Sequence, residues 1–329
     1  MLTADSWREK RILITGGAGF IGSTLADRLS NNGSQVTVID SLIPEYGGNL
    51  FNLNACADKI RINFSDIRDP YSLQPLLRDV DFLFNLAGQT SHMDSMSAPH
   101  TDLNINCAAQ LNLLETCRRV NPSIRIIFAS TRQIYGIPDY LPVDESHPIS
   151  PVDINGIHKH AAEQYYTMYH KLYGIQSGIL RLTNTIGPRM RIKDARQTFV
   201  GIWIRRLIES QPIEVWGGEQ IRDFNDVEDV VDAMLLAALN KDFYGDVFNL
   251  GNSNKISLLA LAQLMIDDYG SGDIVVQDYP AERKKIDIGD YYSSHAKFSL
   301  LTGWSPQRSV EQTLKRTISY YKTNIESYI

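Results

Sequence analysis

The first predicted strand and the glycines that follow it constrain this fold most strongly. Residues 11–22 read RILITGGAGFIG, so an apolar run leads directly into Gly16, Gly19 and Gly22. Glycine is needed where a strand turns sharply into a helix and a phosphate must approach the backbone. The helix expected over 20–31 would direct its free N–H groups and positive dipole end toward a pyrophosphate. This stretch therefore predicts a dinucleotide-binding site.

An acidic residue closes the second predicted strand. That strand is expected over 35–39 and is followed at once by Asp40. A carboxylate at this position accepts hydrogen bonds from the adenosine ribose of NAD and would repel the additional phosphate of NADP. The sequence therefore predicts NAD as the cofactor.

Strand-like and helix-like segments alternate as far as residue 183. Strands are expected over 11–15, 35–39, 60–64, 82–86, 124–129 and 178–182, with helices over 20–31, 71–77, 102–120 and 157–173. Most of the strands are unbroken apolar runs, which is typical of a parallel sheet covered on both faces. We therefore predict an α/β, Rossmann-type doubly wound parallel sheet at 1–183. A smaller mixed α/β substrate-binding domain should occupy 184–329, with some segments returning to the first domain.

Composition excludes several classes of function. The chain has 329 residues and a net charge of −6, which disfavours nucleic acid as a partner. No apolar stretch is long enough to span a bilayer, and residues 1–11 lack a signal-peptide core, so a cytoplasmic location is expected. Cys56, Cys107 and Cys117 have no metal-ligand spacing, so we expect buried free thiols and no metal site.

An ordered series of short motifs resembles one known family. The series is TGGAGFIG at 15–22, Asp40, DIRD at 66–69, NLAG at 85–88, STRQIYG at 130–136, RLTNTIGP at 181–188, RDF at 222–224 and LTGWSP at 301–306. Together these motifs are similar to those of extended short-chain dehydrogenases/reductases, specifically the NAD-dependent nucleotide-sugar epimerase/dehydratase family. The resemblance covers nearly the whole chain and implies hydride transfer at a ring carbon, C4, of a nucleotide-activated hexose.

The resemblance also implies roles for individual residues. The cofactor would be held by Gly16, Gly19, Phe20, Ile21, Gly22, Asp40, Asp66, Ile67, Ala87, Gly88 and Lys159. The nucleotide sugar would contact Ser95, Asn184, Arg222 and Arg283. Arginine suits the diphosphate because its planar fork pairs with two oxygens and stays charged. For Arg222, an ion pair with a neighbouring acid such as Asp223 is the alternative.

A homodimer packed through the 102–120 and 157–173 helices is also implied by the resemblance. The stripe formed by Ile105, Ala109, Leu113 and Thr116 could equally be internal core.

One residue departs from the family pattern at the catalytic position. The family carries Tyr-x-x-x-Lys, whereas this sequence has Asn155 followed by Lys159. An asparagine amide does not titrate, although it can hydrogen-bond a carbonyl or hydroxyl. The predicted catalytic set is therefore Thr131, Asn155 and Lys159. Loss of the base should slow alcohol oxidation more than ketone reduction. The substitution therefore favours an NDP-4-keto-sugar reductase.

A replacement base would favour a 4-epimerase instead, and Asp40 supports that alternative because epimerases keep and recycle NAD. Candidates near position 155 are His158, His160, Asp153, Tyr135 and Tyr140. A histidine there is more typical of a surface or interface, Asp153 of a helix N-cap, and Tyr135 of a structural role.

A second departure follows Thr131. Sugar 4,6-dehydratases of this family carry Asp-Glu there, whereas this sequence has Arg132 and Gln133, which disfavours 4,6-dehydration. Arg132 could face a substrate carboxylate or phosphate, or be a plain loop cation. Two other classes remain open: a catalytically weak NAD or nucleotide-sugar binder, and a dehydrogenase for steroids or flavonoids. Arg222 and Arg283 weigh against the steroid or flavonoid class.

Overall fold

A seven-stranded parallel sheet forms the centre of the protein. The computed structural model describes residues 4–280 and 286–329. The strands are β1 Arg11–Thr15, β2 Gln35–Ile39, β3 Ile60–Asn63, β4 Phe82–Asn85, β5 Arg125–Thr131, β6 Gln176–Leu182, β7 Asn184–Ile186, β8 Ile213–Trp216, β9 Ile221–Asp226, β10 Val247–Leu250, β11 Lys255–Ser257 and β12 Ile274–Gln277. The central sheet has the order β10-β6-β5-β4-β1-β2-β3. The predicted fold class is thereby confirmed.

Helices cover both faces of this sheet and pack over the C-terminal part. Those in the described residues are α1 Phe20–Asn31, α2 Pro70–Leu77, α3 His92–Ser97, α4 Pro99–Leu103, α5 Ala109–Val120, α6 Ile154–Tyr173, α7 Phe199–Ile208, α8 Val227–Leu239, α9 Leu258–Tyr269, α10 Ala296–Thr302 and α11 Val310–Asn324. α1 and α8 pack together on one face, and α2, α5 and α6 cover the other. Because the strand order reverses between β1 and β4, a crevice opens at the carboxyl ends of these strands, where open α/β sheets bind ligands.

The C-terminal part builds a second, smaller core. Strands β7, β9 and β11 form one small sheet, and β8 pairs with β12. Helices α7, α9 and α11 pack over them around residues such as Trp203, Met265 and Tyr321. β10 nevertheless lies in the central sheet, parallel to β6. The division of the chain at residue 183 stays a prediction.

Two helices begin earlier than the sequence indicated. The third predicted helix starts at Pro99 rather than Asp102 and includes a π-helical turn, Asn104–Ala108, between α4 and α5. α6 starts at Ile154 rather than Ile157, because the Asp153 carboxylate accepts a hydrogen bond from Gly156 N (2.7 Å) and caps the helix. The prediction that Asp153 is an N-cap is confirmed. The earlier start places Asn155 inside the first turn of α6.

The stripe on the third predicted helix belongs to the core. Ile105, Ala109, Leu113 and Thr116 are all buried within the single chain, and the first three pack against β1 and β4 residues.

Cys56, Cys107 and Cys117 are buried free thiols, as expected. Within the described ranges, no helix combines the length and the apolar character needed to cross a bilayer.

Candidate functional site

The glycine turn between β1 and α1 is shaped by close backbone contacts. Gly16 has φ of +67°, and a Cβ there would lie 2.9 Å from the backbone of Ala87. A Cβ on Gly22 would lie 2.3 Å from the carbonyl oxygen of Gly16. Only glycine satisfies both demands without moving the backbone. No side chain caps α1, so its first N–H groups remain available to an anion.

Asp40 lies at the edge of the same cavity. Its two carboxylate oxygens accept hydrogen bonds from Ala18 N (3.0 Å) and Leu42 N (2.9 Å). Burial raises the pKa of this carboxyl, and the two backbone donors oppose that shift. Each oxygen keeps a second lone pair, so the carboxylate can still accept a hydrogen bond from a ribose hydroxyl.

The cavity brings together every predicted cofactor residue. Its wall includes Gly16, Gly19, Phe20, Ile21, Gly22, Asp40, Asp66, Ile67, Ala87, Gly88 and Lys159. It also includes Thr131 and Asn155 from the predicted catalytic set. These residues come from the carboxyl ends of five neighbouring parallel strands and from the start of α6, which explains why segments distant in sequence meet here.

Lys159 is buried at the inner end of this cavity. Its Nζ donates to Ala129 O (3.1 Å) and lies 4.8 Å from the centre of the Phe128 ring. Burial lowers the pKa of Lys159 to about 8, although the charges of Asp102 and Glu163 oppose the shift. At neutral pH the ammonium group is retained and can donate to hydroxyl oxygens in the cavity.

Asn155 is built into a buried hydrogen-bond network. Its Nδ2 donates to Gln89 O (2.9 Å) and to Asp102 Oδ2 (3.1 Å). The same carboxylate accepts from Asn106 Nδ2 and lies 2.7 Å from Nδ1 of His158. His158 is therefore mostly buried and paired, rather than the surface residue that the sequence suggested. The amide of Asn155 ties α6 to the loop after β4.

A histidine that was not singled out from the sequence also reaches the cavity. His92, the first residue of α3, lines it with a side chain that is 38% exposed. Its Nδ1 lies 2.8 Å from Asp153 Oδ2, a contact that is not aligned as a hydrogen bond and is an ion pair only when the imidazole is protonated. None of the motifs on which the resemblance rests includes His92, so its spatial position is what shows its relevance. Tyr135, in contrast, is buried against Arg181 and Asn249, outside the cavity.

A second cavity adjoins the first and is rich in arginine. Arg222 is buried and pairs with Asp287 (3.2 Å), not with Asp223. Burial and the charge of Arg132 lower the pKa of Arg222 to about 10. Arg132 lies over the Tyr291 ring, and its Nη2 donates to Asn184 Oδ1 (3.3 Å).

Arg132 keeps part of its guanidinium unsatisfied. Its Nη1 is buried without a hydrogen-bond partner, and Arg132 forms no ion pair within the part of the chain that the structure describes. An unpaired buried donor is costly unless a ligand satisfies it. Four arginines line this cavity, and three of them, Arg196, Arg206 and Arg222, are paired with carboxylates. The unsatisfied guanidinium of Arg132 therefore favours an anionic ligand.

The two cavities share a wall. Six residues line both of them: His92, Arg132, Gln133, Asn184, Gln197 and Thr198. A molecule in the arginine-rich cavity can therefore meet a molecule in the glycine-turn cavity along this wall.

One predicted substrate residue, Ser95, lines neither cavity. Ser95 is fully buried, and its hydroxyl donates to His92 O (2.7 Å) and accepts from Asn155 N (3.3 Å), so it supports the wall from behind. Arg283 lies outside the described residues. Within residues 4–280 and 286–329, no cluster of three metal-ligating side chains is found.

Comparison with known proteins agrees with this geometry. The sequence model of the NAD dependent epimerase/dehydratase family matches residues 12–251. The chain belongs to this family. NAD is accordingly the cofactor, and the glycine turn, the uncapped start of α1 and Asp40 are the groups that would hold it.

Individual relatives match nearly the whole chain. A putative UDP-glucose 4-epimerase of Methanocaldococcus jannaschii is 33% identical over 95% of this chain and 99% of its own length. UDP-glucuronic acid decarboxylase 1 of Xenopus tropicalis is 34% identical over 97% of this chain and 73% of its own length. A UDP-glucose 4-epimerase from Thermotoga maritima, solved with UDP-glucose, is 30% identical with a TM-score of 0.88, and the match covers 96% of this chain and 99% of that one.

The buried lysine predicts a pH-dependent stability difference. In cofactor-free protein, Lys159→Met removes the cost of burying an ammonium group, so the variant should be more stable at pH 7. Between pH 8 and 10.5 the unfolded wild-type lysine keeps its proton while the folded one has lost it. Wild-type stability therefore rises relative to the variant across this window. Urea unfolding at pH 7 and pH 9.5 measures this difference, and a constant gap would contradict the shifted pKa.

Proposed function

We propose that this protein transfers hydride between NAD and ring carbon C4 of a nucleotide-activated hexose. The observation that carries the proposal is the shared wall between the cofactor cavity and a cavity containing Arg132 and Arg222. The two arginines would bind the anionic nucleotide sugar, and the hexose would then extend to the shared wall. Relatives whose names include UDP-glucose and UDP-glucuronic acid support this substrate class.

The residues of the chain would divide the work as follows. NAD, when bound, accepts or supplies the hydride. The Thr131 hydroxyl, at the end of β5, would hydrogen-bond the reacting sugar oxygen. Lys159 would hold ribose hydroxyls, since its ammonium group is fixed by Ala129 O at the inner end of the cavity. Asn155 would orient a carbonyl or hydroxyl without exchanging a proton, because its amide does not titrate.

Two net reactions fit this arrangement. Reduction of an NDP-4-keto-sugar is favoured by Asn155, because ketone reduction depends less on a strong base than alcohol oxidation does. The second candidate is 4-epimerisation, which begins with oxidation. It is favoured by Asp40, which selects NAD, and by a titratable group in the cavity, His92.

Turnover assays distinguish the two reactions. The NAD-loaded protein is incubated with UDP-glucose, UDP-galactose and UDP-glucuronic acid, and the NADH-loaded protein with an NDP-4-keto-6-deoxyhexose. Cofactor absorbance is followed and the products are analysed by NMR. A reductase should consume NADH with the keto sugar, whereas an epimerase should invert C4 with no net change in NADH. Absence of turnover with every sugar, together with retained NAD binding, would refute both reactions.

Arg132 offers a test of the substrate anion. Arg132→Gln removes a charge-assisted contact that is worth about 1.5–3 kcal/mol, so affinity for the nucleotide sugar should fall roughly 10- to 100-fold. Calorimetric titration with UDP, UDP-glucose and UDP-glucuronic acid measures the loss.

The pattern of loss identifies the group that Arg132 contacts. An equal loss for all three ligands indicates the diphosphate, and a loss confined to UDP-glucuronic acid indicates a carboxylate on the sugar. Arg205→Gln is the matched control, because Arg205 pairs with Glu209 and lines neither cavity. Unchanged affinity for all three ligands would make Arg132 a plain loop cation.

We also propose a homodimer formed through α5 and α6. The buried stripe on the third predicted helix is unavailable, but Ile157, Met168 and Leu172 on α6 are exposed apolar residues. Such residues on one helix suit a protein interface. Sedimentation equilibrium should give twice the chain mass, and Met168→Glu with Leu172→Glu should shift it toward the monomer. A monomeric wild type would contradict the proposal.

A further inference from the structure

The proton that must move with the hydride needs a group at the wall shared by the two cavities. Of the six residues that line both cavities, arginine stays charged, and the Gln, Asn and Thr side chains do not titrate near neutral pH. His92 is the remaining member, and an imidazole has an ordinary pKa suited to this task. Position alone therefore selects one side chain among those that the structure describes.

The geometry of His92 suits proton exchange. Ser91 caps α3 by accepting from Asp94 N (3.1 Å), which fixes the backbone that carries the imidazole. Nδ1 is buried, lies 2.8 Å from Asp153 Oδ2 and has no aligned hydrogen-bond partner among the described residues. Since 38% of the side chain is exposed and the ring lines both cavities, Nε2 is the nitrogen that is accessible to a ligand.

Asp153 is held as an ionised carboxylate beside the ring. It accepts from Gly156 N (2.7 Å) and from Gln133 Nε2 (3.1 Å). Burial opposes ionisation, but His92 and these donors keep the pKa of Asp153 below its usual value. A fixed negative charge next to Nδ1 stabilises the imidazolium form when Nε2 takes up a proton.

We propose that His92 Nε2 is the acid/base group for the reacting sugar hydroxyl and that Asp153 is its positioning residue. This proposal rests on the proposed function. In the oxidation direction the C–H and O–H bonds of the alcohol break and a C=O bond forms. The hydride goes to NAD and the proton goes to Nε2. Reduction returns the same proton to the alkoxide oxygen. A non-titrating Asn155 is then compatible with both directions.

Other charges also act on this imidazole. Asp94 lies on the same helix and is paired with Arg196 (3.0 Å), which largely compensates its charge. The charged residues that line the two cavities together with His92 are Asp40, Asp66, Asp94, Arg132, Lys159, Asp194, Arg196, Arg206, Glu214, Arg222 and Asp287. Asp153, the N-cap of α6, contacts the ring from behind the cavity wall. Only Asp153 is in direct ion-pair contact with the ring among the described residues.

The main test replaces the imidazole with an amide. His92→Gln should lower kcat for oxidation or epimerisation by about 10²- to 10⁴-fold at pH 7, with UDP-glucose affinity within threefold of wild type. The wild-type rate should fall as pH drops through the titration of one group, and the variant should lose that dependence. His100→Gln is the matched control, since His100 is exposed on α4 and lines neither cavity. An unchanged kcat or pH profile in His92→Gln would overturn the assignment.

Asp153→Asn tests the positioning role separately. Asparagine still caps α6, so the helix start is preserved. Loss of the negative charge should move the midpoint of the pH–rate profile to lower pH, because the imidazolium is no longer stabilised. A lower rate with an unmoved midpoint would leave Asp153 a structural cap and overturn its positioning role.

Histidine NMR gives a readout that does not need turnover. In NAD-loaded protein, the His92 signal is assigned by its loss in His92→Gln, and UDP-glucose or UDP-glucuronic acid is added. The signal should shift with whichever sugar nucleotide binds by calorimetry, while that of His100 stays in place. Binding without a His92 shift overturns the assignment alone. Binding of neither ligand overturns the proposed function and this assignment with it.

Discussion

The close contacts between main-chain segments at the end of β1 determine where the other residues of the site lie. Gly16 approaches Ala87 and Gly22 approaches Gly16 so closely that a single methyl group would collide. The turn therefore holds α1 against the end of β4, and the cavity floor is made of main chain rather than side chains. Rigid main-chain donors suit a phosphate, because they need no reorganisation when it binds. Asp40, Lys159 and the shared wall are placed relative to this floor.

The interior of the site combines a buried hydrogen-bond network with titratable groups that line the cavity. The Asp102 carboxylate accepts from the amides of Asn155 and Asn106 and contacts His158 Nδ1, and both amides also donate to Gln89 O. Such a network specifies geometry because each member is satisfied. His158 is a member of this network, whereas His92 and Lys159 line the cavity beside it. Asn155 is therefore as much a structural link between α6 and the β4 loop as a replacement for a phenol.

Much of the fold could be predicted from sequence, because buried parallel strands are continuous apolar runs and the glycine turn marks the order of elements. The predicted cofactor residues line one cavity because most of them lie just after a strand of the central sheet, although their roles stay predictions. What could not be predicted depends on three-dimensional contacts. His92 belongs to no periodic pattern, and its meaning comes from Asp153, sixty-one residues further along the chain. Ser95 was expected at the substrate, yet its hydroxyl is used behind the wall by His92 and Asn155. Short elements such as β7 and β11, three residues each, carry too little periodicity to be recognised.

The shared wall has a consequence for how this protein can change. A substitution at Asp40 acts on one ligand only, because Asp40 lines the cofactor cavity and not its neighbour. Arg132, Asn184 and Thr198 line both, so no substitution there alters the fit of one molecule without altering the other. Cofactor preference at the ribose end can therefore drift independently of the sugar. Under the proposed function, a substitution at one of the six shared positions would bear on both ligands, whereas one at a residue that lines only the second cavity, such as Arg222, would act on the sugar nucleotide alone.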